Sequence, residues 1–521
     1  MKVNLKFYFL ISVLSIVALS LNYYYASLGV LPIDTFAHFD SGFRIIKGEI
    51  PFVDYWTISG PFIDFLQAFY FSVFGVNWKI YVLNGSIMNL LVTLVSFFFF
   101  KKIGLSNNYS FFYAICVAFL ANPSMGTPFP DHYSAFFSFF GIISFFYALE
   151  TKRKMYWFLI PIFFFLAFFC KQTPAAYVIL LFTFIFFLFA FYNKNFRFLI
   201  PIIYGSILSL ILLFAFIWIY DVDIQSFFNQ YFLYPRNIGS IRIAELDLTF
   251  NKAISTFKFV HFIFLILLFI FINRIIIKKK DYLSENNFFI NLSIILFTIS
   301  LIFHQWLTLN FIFIFFIIPI ICALIQSNLK KIKFSKWFNV FLIIFCLSVT
   351  TKYHFRFNEE RKMLNLENIN LSNYYETSNL TPKLKGLKWI TREYSQNTIK
   401  EIEKLFVFKK ILENETKKTM FISNYQFFSA ILNKSLHSPN RWFGTPVARP
   451  AKTNSLYDEY LLFNYNIILK NKIEVIYIDS NLGKYHLDLF NKIFEKFPME
   501  CSNMNIIEDV LFKFDISSCY Y

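Results

Sequence analysis

The sequence predicts an α-helical polytopic membrane protein with a small C-terminal α/β domain outside the membrane. Three observations predict it. Hydrophobic residues make up 57% of the 521 residues and the mean hydropathy is +0.53, well beyond the balance of a soluble domain. About eleven segments are apolar enough to be candidate spanning helices. After Thr351 the long apolar runs stop and charged and polar residues rise.

The apolar segments centre on residues 7–25, 79–100, 109–121, 132–149, 156–170, 174–192, 198–220, 256–276, 288–304, 308–326 and 337–350. The first is too long for a removed signal peptide and lacks its small-residue cleavage site. With Lys2 and Lys6 beside it, it reads as a retained anchor that starts inside. Residues 1–351 therefore form a transmembrane bundle, with a first outer loop at 31–78, and residues 352–521 form an exported tail. In the tail, about 358–410 reads as helix, carrying the charged runs EERKMLNLENI and IKEIEKLFVFKKIL. TMFIS, IEVIYI and DVLFKFDI read as strands and FFSAILN as a short helix, so the tail is α/β. HSPNRWFGTPVARP reads as a loop from its Pro, Gly and Asn content.

The charges agree with this order. With the N-terminus cytoplasmic, the inside connections carry 17 basic residues, against eight on the opposite side before Lys352. This is the asymmetry of the positive-inside rule, and it places the chain in an inner or plasma membrane with its tail outside. The formal net charge of +17 is then mostly topology. Basic residues scattered over loops form no groove for nucleic acid.

Of 32 acidic residues, 19 follow Lys352 and 13 precede it. Five of those 13 lie in Leu31–Asp64, directly after the first span: Asp34, Asp40, Glu49, Asp54 and Asp64. His38 shares a face with Asp34 if the segment is one helix. Carboxylates beside a bilayer cost desolvation and contribute little to topology, so this cluster points to chemistry. Asp131, Asp221, Asp223, Glu245 and Asp247 fall on the same outer side.

Cys116, Cys170, Cys322 and Cys346 lie in or beside apolar segments and read as packing residues. Cys501 and Cys519 lie in the exported tail, and a disulfide between them suits an oxidising compartment.

Further candidates stand at other outer helix ends. Asp131 and His132 begin the helix after NPSMGTPFPDHYS, as an N-cap or as a second acidic site. With His38 they are also the candidates for a divalent metal ion. Lys171, in CKQTP, breaks an apolar run on the side where a positive charge is disfavoured, which suggests an anionic partner such as a lipid phosphate. Arg236 and Arg242, in YFLYPRNIGSIRIAE, offer charge to the same phosphate, and His304-Gln305 is a weaker candidate.

The first outer loop has a recognisable order: Asp34, Ala37, Gly42, Gly48, Pro51, Asp54, Gly60, Pro61 and Phe74-Gly75. This order resembles the first outer loop of GT-C glycosyltransferases, the superfamily of protein O-mannosyltransferases and bacterial lipid A aminoarabinose transferases. The likeness covers residues 1–180 in detail. Asp34 is followed by Thr35 where a second acid often stands.

The resemblance implies a GT-C-like bundle and an inverting hexosyl or pentosyl transfer in the cell envelope. The donor would be a polyprenyl-phosphate sugar, since nucleotide sugars stay in the cytoplasm. The acceptor would be an extracytoplasmic glycan, lipid or protein. Asp34 would be the catalytic carboxylate, with Asp54 orienting the acceptor, His38 contacting substrate, and Asp131 a second-loop acid. Two other readings stand beside it: a polysaccharide polymerase or ligase, and a transporter of lipid-linked glycans that performs no chemistry. The apolar helices carry almost no mid-membrane charge, which weighs against an ion-coupled path.

Overall fold

The computed structural model describes residues 5–194, 196–278, 280–283, 285–308, 313–329, 335–360, 366–443, 447–482, 484–495 and 503–520. A helix stands at each of the eleven expected places. Among the described residues, eight helices are long and apolar enough to cross a membrane: Leu5–Tyr25, Trp78–Lys102, Pro130–Thr151, Gln172–Asn193, Leu199–Ile219, Lys258–Ile277, Asn286–Thr308 and Lys336–Asn358. Asn107–Ala121, Lys154–Cys170 and Ile317–Leu329 are apolar but shorter. The chain is a multi-pass membrane protein.

The described chain divides into two compact units. The first comprises Met1–Ala26, Val82–Ala215 and Arg242–Glu367, and the second Ser27–Tyr81, Phe216–Ile241 and Asn368–Tyr521. The second unit joins the first outer loop to the tail, a grouping that a single cut at Thr351 does not express.

The first unit is the helical bundle. Helix Pro130–Thr151 is its interior, buried along 83% of its apolar window, whereas Leu199–Ile219 is buried along 11% and turns most of its surface outward. Between apolar helices in lipid, small residues and amide side chains hold the contact. Here the Asn89 amide donates to Asn22 Oδ1 at 2.8 Å and to the Ala118 carbonyl at 3.0 Å. Asn22 in turn donates to the Gly126 carbonyl at 2.9 Å. Gly126 has φ +71°, and a Cβ there would lie 2.3 Å from the Asn22 carbonyl oxygen, so only glycine fits.

In the second unit the loop after the first span is helical in three pieces, Pro32–Thr35, Ala37–Ile46 and Phe62–Phe74. Among the described residues the tail carries six strands: β1 Tyr375–Glu376, β2 Lys388–Trp389, β3 Thr419–Ile422, β4 Val475–Asp479, β5 Asn503–Ile507 and β6 Leu511–Asp515. β1 and β2 pair antiparallel, and the other four form a sheet of order β3-β4-β6-β5. β3 and β4 run parallel, and β6 is antiparallel to both of its neighbours. The expected strands TMFIS, IEVIYI and DVLFKFDI are β3, β4 and β6, and FFSAILN holds the helix Phe428–Leu432.

The loop is stitched to the tail by backbone. Gly29 and Val30 donate to the carbonyls of Lys388 and Ile390, and Trp56 donates to that of Pro439 at 2.7 Å. Phe36 stacks on Trp389 with ring centroids 5.7 Å apart. Trp56 and Tyr234 enter the same apolar core as Met420, Ile476, Tyr460 and Phe514.

One expectation fails. The stretch 358–410 is not a continuous helix; its described regular helix is Thr398–Asn414, while residues 361–365 lie outside the described residues. Polar side chains there bond the local backbone and compete with helix. The Thr377 hydroxyl donates to the Leu384 and Leu387 carbonyls, both at 2.7 Å. Thr381 caps a short turn that begins with Pro382, and Gly386 takes φ +102°. Cys519 is disulfide-bonded, and the four membrane-half cysteines are buried thiols. Cys501, its expected partner, lies outside the described residues.

Candidate functional site

The five acids of the first outer loop differ in what surrounds them. Asp64 opens the helix Phe62–Phe74 and is fully buried. Its Oδ1 accepts from His38 Nδ1 and from the Ser41 hydroxyl, both at 2.6 Å. Its Oδ2 accepts from Arg441 Nη2, and Arg441 Nη1 donates to the Ser59 hydroxyl at 2.6 Å. Burial would raise the Asp64 carboxyl, but Arg441, His38 and Ser41 together hold it below its ordinary value. Burial lowers His38, so the ring is neutral with its proton on Nδ1, facing the ionised Asp64.

Arg44 organises a second group. Its Nε donates to Glu49 at 2.6 Å and its Nη2 to the Ser438 carbonyl at 2.6 Å, and its guanidinium lies 4.2 Å from the centre of the Tyr55 ring. His437 Nδ1 is 3.4 Å from Glu49. Asp40 is buried 3.9 Å from Arg44. Burial pushes its carboxyl up to about 7 against the opposing pull of Arg44, with Glu49 adding to the rise. Asp54 is buried, accepting from the Ile50 amide at 2.8 Å with one oxygen and pairing with Lys470 at 2.6 Å with the other.

A pH prediction follows from Asp40. Its folded value lies above the unfolded value near 3.9, so the folded state binds more protons between about pH 4 and 7, and Asp40 costs stability as pH rises through that window. Asp64 has the opposite sign, and its contribution fades only as pH falls below the ordinary carboxylate range. Asp40→Asn should therefore flatten the decline in stability from pH 4 to 7. Thermal unfolding of the purified protein across that range checks it, and an unchanged slope would refute it.

Asp34 is the half-buried acid of the five. It sits in the first turn of Pro32–Thr35, where Leu31 is the N-cap; no side chain caps that helix or the next. Phe36, at φ −108° and ψ 0°, interrupts the two helices. Asp34 and His38 therefore do not share one helical face, and the expectation that they do is corrected. His38 is turned inward onto Asp64 rather than presented to a substrate.

The first unit holds a second constellation, built where helix ends meet. Asp131, in the first turn of Pro130–Thr151, pairs through Oδ2 with Lys171 Nζ at 2.7 Å and through Oδ1 with His304 Nε2 at 2.7 Å. Lys171 stands between the helices Lys154–Cys170 and Gln172–Asn193 and is 22% exposed, whereas Asp131 and His304 are buried. Arg242 is close enough to interact electrostatically with Asp131, His304 and Tyr177. Three of the sequence candidates thus meet, with Arg242 nearby.

Asp131 is not an N-cap, because Phe129 takes that position and makes no side-chain bond. His132 is not its partner. It is buried among Phe129, Phe136 and Phe313, and both ring nitrogens lack a hydrogen bond. Among the described residues no three His, Cys, Asp or Glu side chains gather as a metal site requires, so Asp131, His132 and His38 are not assembled as ligands. Arg236 is exposed on the helix Tyr234–Ala244, in the second unit.

Sequence reasoning missed Arg441. It lies in an aperiodic loop, and its partner Asp64 is 377 positions away. The one local signal was an arginine amid Pro and Gly, which carries no hint of a buried carboxylate.

No family model matches the chain, and no curated protein matches it. Among solved structures it is similar to ArnT from Cupriavidus metallidurans in the apo state, with 9% identity, 98% of each chain covered and a TM-score of 0.46. It is similar to the same protein bound to undecaprenyl phosphate, with 11% identity, 98% of each chain covered and a TM-score of 0.47. It is also similar to the Archaeoglobus fulgidus oligosaccharyltransferase tethered with an acceptor peptide, with 13% identity, 99% of this chain and 74% of that chain covered and a TM-score of 0.49. Both proteins are GT-C glycosyltransferases. At these scores the likeness carries no substrate and no residue role across.

Proposed function

We propose that the chain is an integral membrane glycosyltransferase that moves a sugar from a polyprenyl-phosphate donor to an extracytoplasmic acceptor, with inversion. One observation carries the reading. Four of the five acids in the first outer loop are buried, while Asp34, directly after the first span, is half-buried. A general base has to reach an acceptor hydroxyl, and Asp34 is the loop carboxylate with surface to do so. The resemblance of the loop to GT-C glycosyltransferases implies a catalytic acid at this same residue.

In the proposed reaction the acceptor oxygen attacks the anomeric carbon while its proton passes to the Asp34 carboxylate. The bond from the anomeric carbon to the phosphate oxygen breaks, and polyprenyl phosphate leaves with the electron pair. Within the first unit, Lys171 and Arg242 are the cations we assign to a lipid phosphate. Asp131 holds the Lys171 ammonium in place, and the two cations outnumber this one carboxylate. The charge asymmetry of the connections supports an inside N-terminus and an outside tail. Asp54 serves the loop's structure in this reading, since both its oxygens are engaged.

The reading is tested with purified protein in vesicles and a set of polyprenyl-phosphate sugars, by following released polyprenyl phosphate. Transfer with none of the donors, alongside movement of a lipid-linked glycan across the vesicle membrane, would replace it with the transporter reading. In the same assay Lys171→Ala is expected to raise KM for the donor about tenfold or more with a smaller change in kcat, because the phosphate is charged before and after transfer. An unchanged KM would remove Lys171 from the donor site.

A further inference from the structure

The segment Ile224–Ile241 carries large apolar side chains on its outward face. It comprises the helix Ile224–Phe228, a π-type turn Asn229–Leu233 and the first part of the helix Tyr234–Ala244. Its inward face mixes hydrogen-bonded amides, Asn229 and Gln230, with the buried rings of Phe227, Tyr231 and Tyr234. Gln230 donates to the Phe52 carbonyl at 3.1 Å and accepts from the Thr57 amide at 3.0 Å. Asn229 donates to Glu459 at 2.5 Å, and Ser226 donates to the Phe52 carbonyl at 3.4 Å. Phe227 and Tyr234 complete this face by packing on Phe52 and Trp56.

The outward face is apolar at one end and basic at the other. Ile224, Phe228 and Phe232, each four residues from the next, are 68%, 46% and 38% exposed. The rings of Phe228 and Phe232 stack at 5.4 Å. The next positions in the same spacing, Arg236 and Ser240, are exposed as well. In water such an exposed apolar stripe is unfavourable. In a membrane interface it is the stable arrangement, with rings in the acyl boundary and a basic side chain at the phosphates.

We infer that Ile224–Ile241 lies in the plane of the membrane and seats the second unit on the lipid surface, with Ile224, Phe228 and Phe232 buried among acyl chains and Arg236 at lipid phosphates. Continuity with the membrane selects this occupant. The segment follows the spanning helix Leu199–Ile219 after four residues, and that helix ends in exposed Trp218 and Ile219. Exposed Leu248 and Phe250 then precede the next span, Lys258–Ile277. The inward face grips the first outer loop and Glu459 of the tail, so the segment ties both to one lipid-bound element. The inference needs a membrane and not a transferase, so it stands or falls apart from the proposed activity.

Full-length protein with a nitroxide at Phe228→Cys, and separately at Ile224→Cys, is reconstituted in phosphatidylethanolamine vesicles with and without phosphatidylglycerol. Collision with oxygen is expected to exceed collision with a water-soluble nickel chelate several-fold at both sites. Dominant nickel collisions would mean the stripe faces water and would overturn the inference. Spin–spin broadening that persists on dilution into excess lipid would assign the face to a second copy of the chain and overturn it equally. Adding Arg236→Gln should lower the oxygen-to-nickel ratio at Phe228→Cys in the anionic vesicles. No change in either vesicle type would remove Arg236 from the headgroup layer.

Discussion

Asp34→Asn is expected to leave the protein folded in the membrane and to lower transfer by about 10²–10⁴-fold, the usual worth of a general base. Asparagine keeps the shape of the residue and loses only the ability to take the acceptor's proton. A helix-capping role would survive the change, and Asp34 is in any case not at a cap position. The loss should fall on kcat, because the proton moves in the transition state and not in the bound ground state. The Lys171→Ala variant, read mainly in KM, separates a failed base from a failed donor site. Near-normal kcat in Asp34→Asn would leave the outer loop without its proposed chemistry and bring the transporter reading forward.

Arg441→Ala is expected to have the largest effect on stability. It removes a guanidinium that satisfies Asp64 and Ser59 inside the second unit and leaves a carboxylate in a dry site. Breaking one side of a buried ion pair costs about 3–5 kcal/mol. His38 and Ser41 would still donate to Asp64, but both are neutral partners. Protease resistance of the tail and the midpoint of thermal unfolding should both fall. Combining Arg441→Met with Asp64→Asn should recover part of the loss, because no unpaired charge remains. A single-variant change below about 1 kcal/mol would show that the pair is replaceable by solvent.

The spanning helices were legible because lipid leaves only one signal, a long apolar run, and the chain obeys it. Strands β3, β4 and β6 were legible for a related reason, since each is a short β-branched or aromatic run between polar breaks. The 358–410 region misled because its charges suggest helix while Thr377, Thr381, Pro382 and Gly386 bend the backbone one residue at a time.

At the candidate sites, sequence marked Asp131, Lys171 and His304 through the cost of polar groups at apolar helix ends. It paired Asp131 with its neighbour His132, whereas the helix sends that side chain into a phenylalanine cage. The commitment of Asp54 and Asp64 to basic partners was invisible, because Lys470 and Arg441 come from a tail with no periodic link to the loop, whereas Asp40 and Glu49 pair with Arg44 four and five residues away in the loop itself.

The second unit is assembled from three separated stretches, and this has a consequence for biosynthesis. Asp64 and Arg441 are 377 residues apart. At about 5–20 residues per second of synthesis, the loop waits roughly 20–75 s before its counter-ion is made. Throughout that time its carboxylates need water or a chaperone in place of the tail, and Asp34 stands in an unfinished surrounding. Shortened chains that end before the tail would insert their helices normally yet never complete the loop. A cell making this protein therefore has a natural checkpoint, in which the finished loop arrives only with the last third of the chain.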